Sequence, residues 1–257
     1  MPSSARPNIL LVQADQLRYD ALGVTGNTLV RTPSIDRLAA DGICFRNAFC
    51  AVPVCVPVRN SMLYGCWPSR HLCIGNSGTE APRPPRPDLP TYDQVLRDAG
   101  YRLLRLGKIQ EGQGPNDPGA FHACIPNSEY THWRADQNLP PSPRTNGWFG
   151  EPDPAITPEQ SRLGWGAGRI IDMLETVALD DEPFFIRWDT SEPHLPNIVP
   201  EPHASMIQPA DVPPWPGFGD DLADKPYIQR QQLRTWGLEG WSWQQWAPTV
   251  ARYLGEI

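Results

Sequence analysis

The stretch Thr91–Gly107, TYDQVLRDAGYRLLRLG, decides the fold. Thr91 can cap a helix in which Val95, Leu96 and Ala99 are apolar, and Gly100 closes it. Tyr101–Leu106 is then a short apolar run, which predicts a buried strand ending at Gly107-Lys108. A helix that returns at once as such a strand is the repeating unit of an α/β fold with a parallel sheet.

Working outward, Pro7–Ala14 (PNILLVQA) and Phe184–Trp188 are read as further buried strands, the first ending at Asp15 and the second running into SEPHLPN. Ile43–Phe49 is read as one more strand. Helices are expected over TPSIDRLAADG, capped by Thr32 or Ser34 with Ile35, Leu38 and Ala39 on one face, and from Pro57 to a stop at Gly65. A third starts at Thr157-Pro158, with Gly168, Ile171, Leu174 and Val177 on its face. A last one covers Pro248–Ile257. Proline-rich loops are expected near 80–90, 112–158 and 196–226, which agrees with 31 prolines in 257 residues, against about 5% on average. No linker or repeat divides the chain, so 1–257 is read as one domain.

A net charge of −7 argues against a nucleic-acid or polyanion binder. No stretch approaches a membrane span. The opening residues show no signal peptide, so no membrane and a cytoplasmic location are the expectations. The six cysteines form no CxxC pair, which indicates neither a zinc knuckle nor a redox pair.

The chemistry gathers on Cys55–Gly65, CVPVRNSMLYG. A cysteine ahead of a proline-started helix lies near the positive helix end, where an anion is stabilised. Arg59, one turn in, can reach the same anion. The plain alternative is a free core cysteine beside a structural arginine. Lys108 is one of only two lysines and follows a glycine at a strand end. Asp15 is a hard carboxylate beyond another strand, or else a turn cap.

CVPVRNSMLYG resembles the sulfatase signature, in which the cysteine of C-x-P-x-R is oxidised to formylglycine. PNILLVQADQLRYDALG, RTPSIDRLAADGICFRNAF, LGKIQEG and FFIRWDTSEPHLPN resemble other family motifs in the family's order, so that the likeness covers most of residues 7–203. The resemblance implies an α/β fold with a mostly parallel central sheet, helices on both faces and an alkaline-phosphatase-like architecture. It further implies hydrolysis of sulfate esters, or alternatively of phosphonate or phosphate esters. Cys55, as formylglycine, would be the nucleophile and a metal ligand. Arg59 and Lys108 would hold the charged ester oxygens, and His194 would contact them or protonate the leaving alcohol. Asp15 would bind a divalent cation, calcium before magnesium or manganese. The implied partners are a small sulfate or phosphonate ester, a formylglycine-generating enzyme, and further copies of the chain if it is an oligomer.

Three departures qualify this. Gln16 stands where many members have a second acidic residue, Gln110 where a histidine follows the motif lysine, and Tyr64 where a small hydroxyl residue is usual. Glutamine hydrogen bonds but shuttles no proton. The family's later metal-ligand pair is not found, and TVARYLGEI reads as a helix cut short. The expectation is the N-terminal part of a sulfatase domain, with weak cation binding and little turnover, or a sulfatase-like protein kept for binding. His71 is read as structural.

Overall fold

A computed structural model describes residues 6–76, 88–110, 120–143 and 148–257. Four parallel strands form one sheet in the order β1-β4-β2-β3. They are β1 (Ile9–Gln13), β2 (Arg102–Gly107), β3 (Ala123–Pro126) and β4 (Phe184–Asp189). β4 is the centre: Leu10 pairs with Ile186 on one side and Leu104 with Ile186 on the other. The three expected apolar runs are thus neighbours; β2 and β4 are buried as expected, whereas β1 is not, with Leu10 47% and Val12 53% exposed.

The residues group into two compact units. The first holds the sheet, with helices on both faces. On one face α6 (Arg162–Val177) and α5 (Glu129–Asp136) place Trp165, Ile170, Met173, Val177 and Tyr130 against Leu104, Leu106 and Ile186. On the other, Tyr92 and Leu96 of α4 (Tyr92–Asp98) pack with Leu103, Phe185 and Phe121. Thr91 caps α4 with the expected geometry, a reciprocal box with Gln94. This unit also contains α2 (Cys55–Tyr64) and α3 (Pro68–His71).

The second unit is built on residues 18–39, 142–157 and 195–257. Its core joins Ala21 and Val30 to Ile207 and Val212 and to Val250, Ala251, Tyr253 and Leu254. The last four belong to α8 (Trp243–Glu256), and α7 (Tyr227–Thr235) precedes it with no buried residue. Most of α1 (Pro33–Asp41) lies here, again with no buried residue, so its expected apolar face is solvent-facing: Leu38 is 73% exposed.

Four expectations are corrected. Ile43–Phe49 is not a strand: no described strand lies beside it, and Ile43, Phe45 and Phe49 are exposed. Strand propensity without a pairing partner does not hold a strand together. The 112–158 loop contains β3 and α5; its residues 112–119 and 144–147, and most of the 80–90 loop, lie outside the described residues. The buried stripe of α6 is Trp165, Gly166, Ile170, Met173 and Val177, with Ile171 exposed. On that stripe Gly166 lies close against the Trp188 ring, where a Cβ would stand 3.1 Å from it. The final helix begins at Trp243 and carries Pro248 within it. No helix among the described residues is long and apolar enough to cross a membrane.

Candidate active site

Strand order alone brings three charged positions together. Asp15 follows β1, Asp189 closes β4 and Lys108 follows β2, and these strands are consecutive neighbours. Open parallel sheets bind ligands beyond the carboxyl ends of their strands. The β2 end approaches β4 closely. Gly107 has φ +118, and a Cβ on it would fall 1.9 Å from the Asp189 carbonyl oxygen. Only glycine permits this contact, and it lets the Lys108 N–H donate to the Asp189 carbonyl at 2.8 Å.

The N-terminus of α2 supplies the remaining groups. Val54 flanks the helix in an extended conformation, Cys55 is its first residue, and Gly65 ends it at φ +61. Arg59, 1% exposed, donates from Nη1 to Asp189 Oδ1 at 2.9 Å and from Nη2 to Asp15 Oδ2 at 3.3 Å. Lys108 Nζ donates to the same Asp15 Oδ2 at 2.5 Å and lies 3.9 Å from Cys55 Sγ. Cys55 Sγ lies 3.9 Å from the other oxygen, Asp15 Oδ1. Ligand atoms of Asp15, Cys55 and His194 all fall within 4.8 Å of one another. The five residues singled out in the sequence therefore converge.

The electrostatics follow from that crowding. Burial works against the Asp15 carboxylate, but the Lys108 hydrogen bond and the Lys108 and Arg59 charges outweigh it and hold its pKa below the ordinary value. The Cys55 thiol is lowered chiefly by its hydrogen bond with His194, with Lys108 also helping, against burial and the Asp15 charge.

Sequence reasoning missed Asp189, Arg105 and Arg187. Asp189 is fully buried and also accepts from Arg105 Nη2 at 3.2 Å and Arg187 Nη2 at 2.9 Å, with the charge of Arg187 Nε 2.8 Å away. The available signal was charge inside apolar strands, RLLRLG and FFIRWD, since a buried charge requires a partner. His71, read as structural, lies at the opposite end of α2. It is buried against Ser61, and Tyr64 stacks on its ring at 6.0 Å. Gln16 adopts φ +59, and Gln110 is half-buried.

Asp15, Cys55 and His194 suit part of a divalent-cation site. As translated, the set is one oxygen, one sulfur and one nitrogen, which favours a borderline ion such as zinc. Oxidation of Cys55 would exchange sulfur for oxygen and shift the set toward a hard ion. Calcium takes six to eight oxygens, more than these residues offer.

The carboxyl ends of the parallel strands thus gather a cysteine, two acids and several basic side chains. The family profile for Sulfatase matches residues 7–211, and the chain belongs to that family. An arylsulfatase of Clostridium perfringens is 26% identical, over 84% of this chain and 49% of that protein. Human arylsulfatase A is 28% identical, over 75% of this chain and 42% of its own length. The phosphonate monoester hydrolase SpPMH of Silicibacter pomeroyi superposes with a TM-score of 0.78 at 23% identity, over 98% of this chain and 56% of that one. The chain spans about half the length of these relatives.

Proposed function

We propose that this chain carries the nucleophile half of a sulfate-ester hydrolase. The observation behind the reading is the meeting of Cys55, Arg59, Lys108, His194 and Asp15 beyond the carboxyl ends of the strands. Cys55, converted to formylglycine and hydrated, supplies one hydroxyl to attack the sulfur and a second to expel inorganic sulfate and restore the aldehyde. A divalent cation held by Asp15 and residue 55 would polarise the ester. Arg59 and Lys108 hold the charged ester oxygens, placing fixed positive charge where the transition state gathers negative charge. His194 gives a proton to the departing alkoxide, so the alcohol leaves neutral.

The test is to make the chain with a formylglycine-generating enzyme, capture the aldehyde of the Cys55 peptide with a hydrazide, and identify it by mass spectrometry. Aryl sulfate, phosphonate monoester and phosphodiester turnover is measured beside it. Expected are an aldehyde at position 55 and weak aryl sulfate turnover that is lost in Cys55→Ala. A persistent thiol, with turnover equal in the wild type and Cys55→Ala, sinks the reading. Turnover confined to phosphonate esters replaces the substrate class and keeps the nucleophile.

A further inference from the structure

We infer that Asp189 is the positioning residue of this anion site: its carboxylate aims Arg59, and its carbonyl fixes the main chain of Lys108. The inference rests on the reading of Arg59 and Lys108 as the pair that holds the ester oxygens. Asp189 is fully buried at the end of the central strand, and its carboxylate takes three arginines. The three are not equivalent. Arg187 also reaches Tyr92 Oη and Gln13 Oε1, and Arg105 also reaches the Lys108 carbonyl. Arg59 depends on Asp189 more. Its 2.9 Å bond to that carboxylate is its shortest, while its bond to Asp15 is 3.3 Å and goes to an oxygen already taken by Lys108 at 2.5 Å.

One residue thus sets both cations. The carboxylate fixes the guanidinium, and the Asp189 carbonyl accepts from the Lys108 N–H at 2.8 Å. The Arg59 Nη1 closes the loop with a long contact to the Lys108 carbonyl at 3.4 Å. Arg105 and Arg187 offset the negative charge of Asp189, so a buried acid next to an anion site does not repel the anion. Charged hydrogen bonds of this kind fix orientation as well as adding energy.

The sign of one measurement separates aiming from simple charge. Inorganic sulfate is the probe, and its binding is read as protection of Cys55 from iodoacetamide, followed at the Cys55 peptide by mass spectrometry. Removing a negative charge should tighten sulfate binding if Asp189 acts through its field alone. If Asp189 aims Arg59, Asp189→Asn weakens protection by about tenfold or more, as loss of a buried charge partner does. Asp189→Glu keeps the charge and displaces the carboxylate by one methylene, and it too weakens protection. Unchanged or tighter binding in both variants overturns the inference.

Should neither variant fold, nitrogen-15 spectra of the wild-type protein decide. A held Arg59 gives a resolved, slowly exchanging guanidinium signal, and exchange at the rate of free arginine overturns the hold. Absence of sulfate protection in the wild type sinks the anion reading instead, and the Arg59 signal still decides the hold by Asp189.

Discussion

The two ends of α2 are built from opposite materials. At the front, Cys55 and Arg59 meet Asp15, Asp189 and Lys108, with nearly every contact carrying charge. At the back, His71, Ser61, Tyr64 and Cys73 meet through neutral groups. Ser61 Oγ donates to the Pro57 carbonyl and so accepts from His71 Nε2 at 2.9 Å, while the Cys73 N–H donates to His71 Nδ1 at 3.1 Å. Both ring nitrogens are used, in one neutral tautomer. A helix end held by paired opposite charges is anchored at its other end by groups indifferent to charge. Front and back should therefore fail differently when altered.

The largest effect is expected at the front. Lys108→Met keeps the stem and removes the charge, leaving Asp15 with Arg59. Turnover of aryl sulfate should fall about 10²–10³-fold, the usual loss of one donor to a developing oxyanion. Urea unfolding should change far less, since the Lys108 side chain is partly exposed and Asp15 keeps a partner. Turnover within tenfold of wild type breaks the comparison at its front end.

At the back the pattern reverses. His71→Ala opens a cavity and strands the Cys73 N–H, which should cost about 2–4 kcal/mol in urea unfolding. The iodoacetamide reaction of Cys55 should keep its rate in the folded protein. The pH dependence follows from burial, which lowers the His71 pKa. The unfolded chain then takes the proton first as pH falls. The His71 contribution is whole above the unfolded value of about 6.5 and is lost below it, with a slope of at most about 1.4 kcal/mol per pH unit until the folded value is reached. His71→Ala should lack this slope. A slope that survives the substitution places the titration elsewhere.

The same contrast explains how much was legible in the sequence. β1, β2, β4 and α4 were readable because each is a short apolar run or a capped helix bounded by its own turn residues. Cys55, Arg59, Lys108, His194 and Asp15 were readable because each stands in a stretch that resembles a sulfatase motif, and all but Arg59 lie beside such a boundary. Asp189 was not: Arg187 stands two positions before it, but its partners Arg59 and Arg105 lie 130 and 84 positions away and become neighbours only on folding. β3 escaped because four residues (ACIP) carry too little pattern to stand out in a Pro- and Gly-rich stretch. Ile43–Phe49 misled in the other direction, having strand composition without a strand to pair with. The face of α6 was displaced because period alone does not reveal that Gly166 lies against Trp188.

The smallest effect lies at Gly65, where the back end begins. Its φ of +61 closes α2, and a Cβ there would meet nothing within 4 Å. The cost of Gly65→Ala is therefore backbone strain alone, about 1 kcal/mol in urea unfolding. Gly65→Asn should cost less, because asparagine tolerates the left-handed region. Neither should alter sulfate protection of Cys55, which lies ten residues earlier in the sequence and is held by charges at the other end of the helix. If Gly65→Ala weakened that protection, the neutral end would be steering the charged one, and the two could no longer be treated as separate devices.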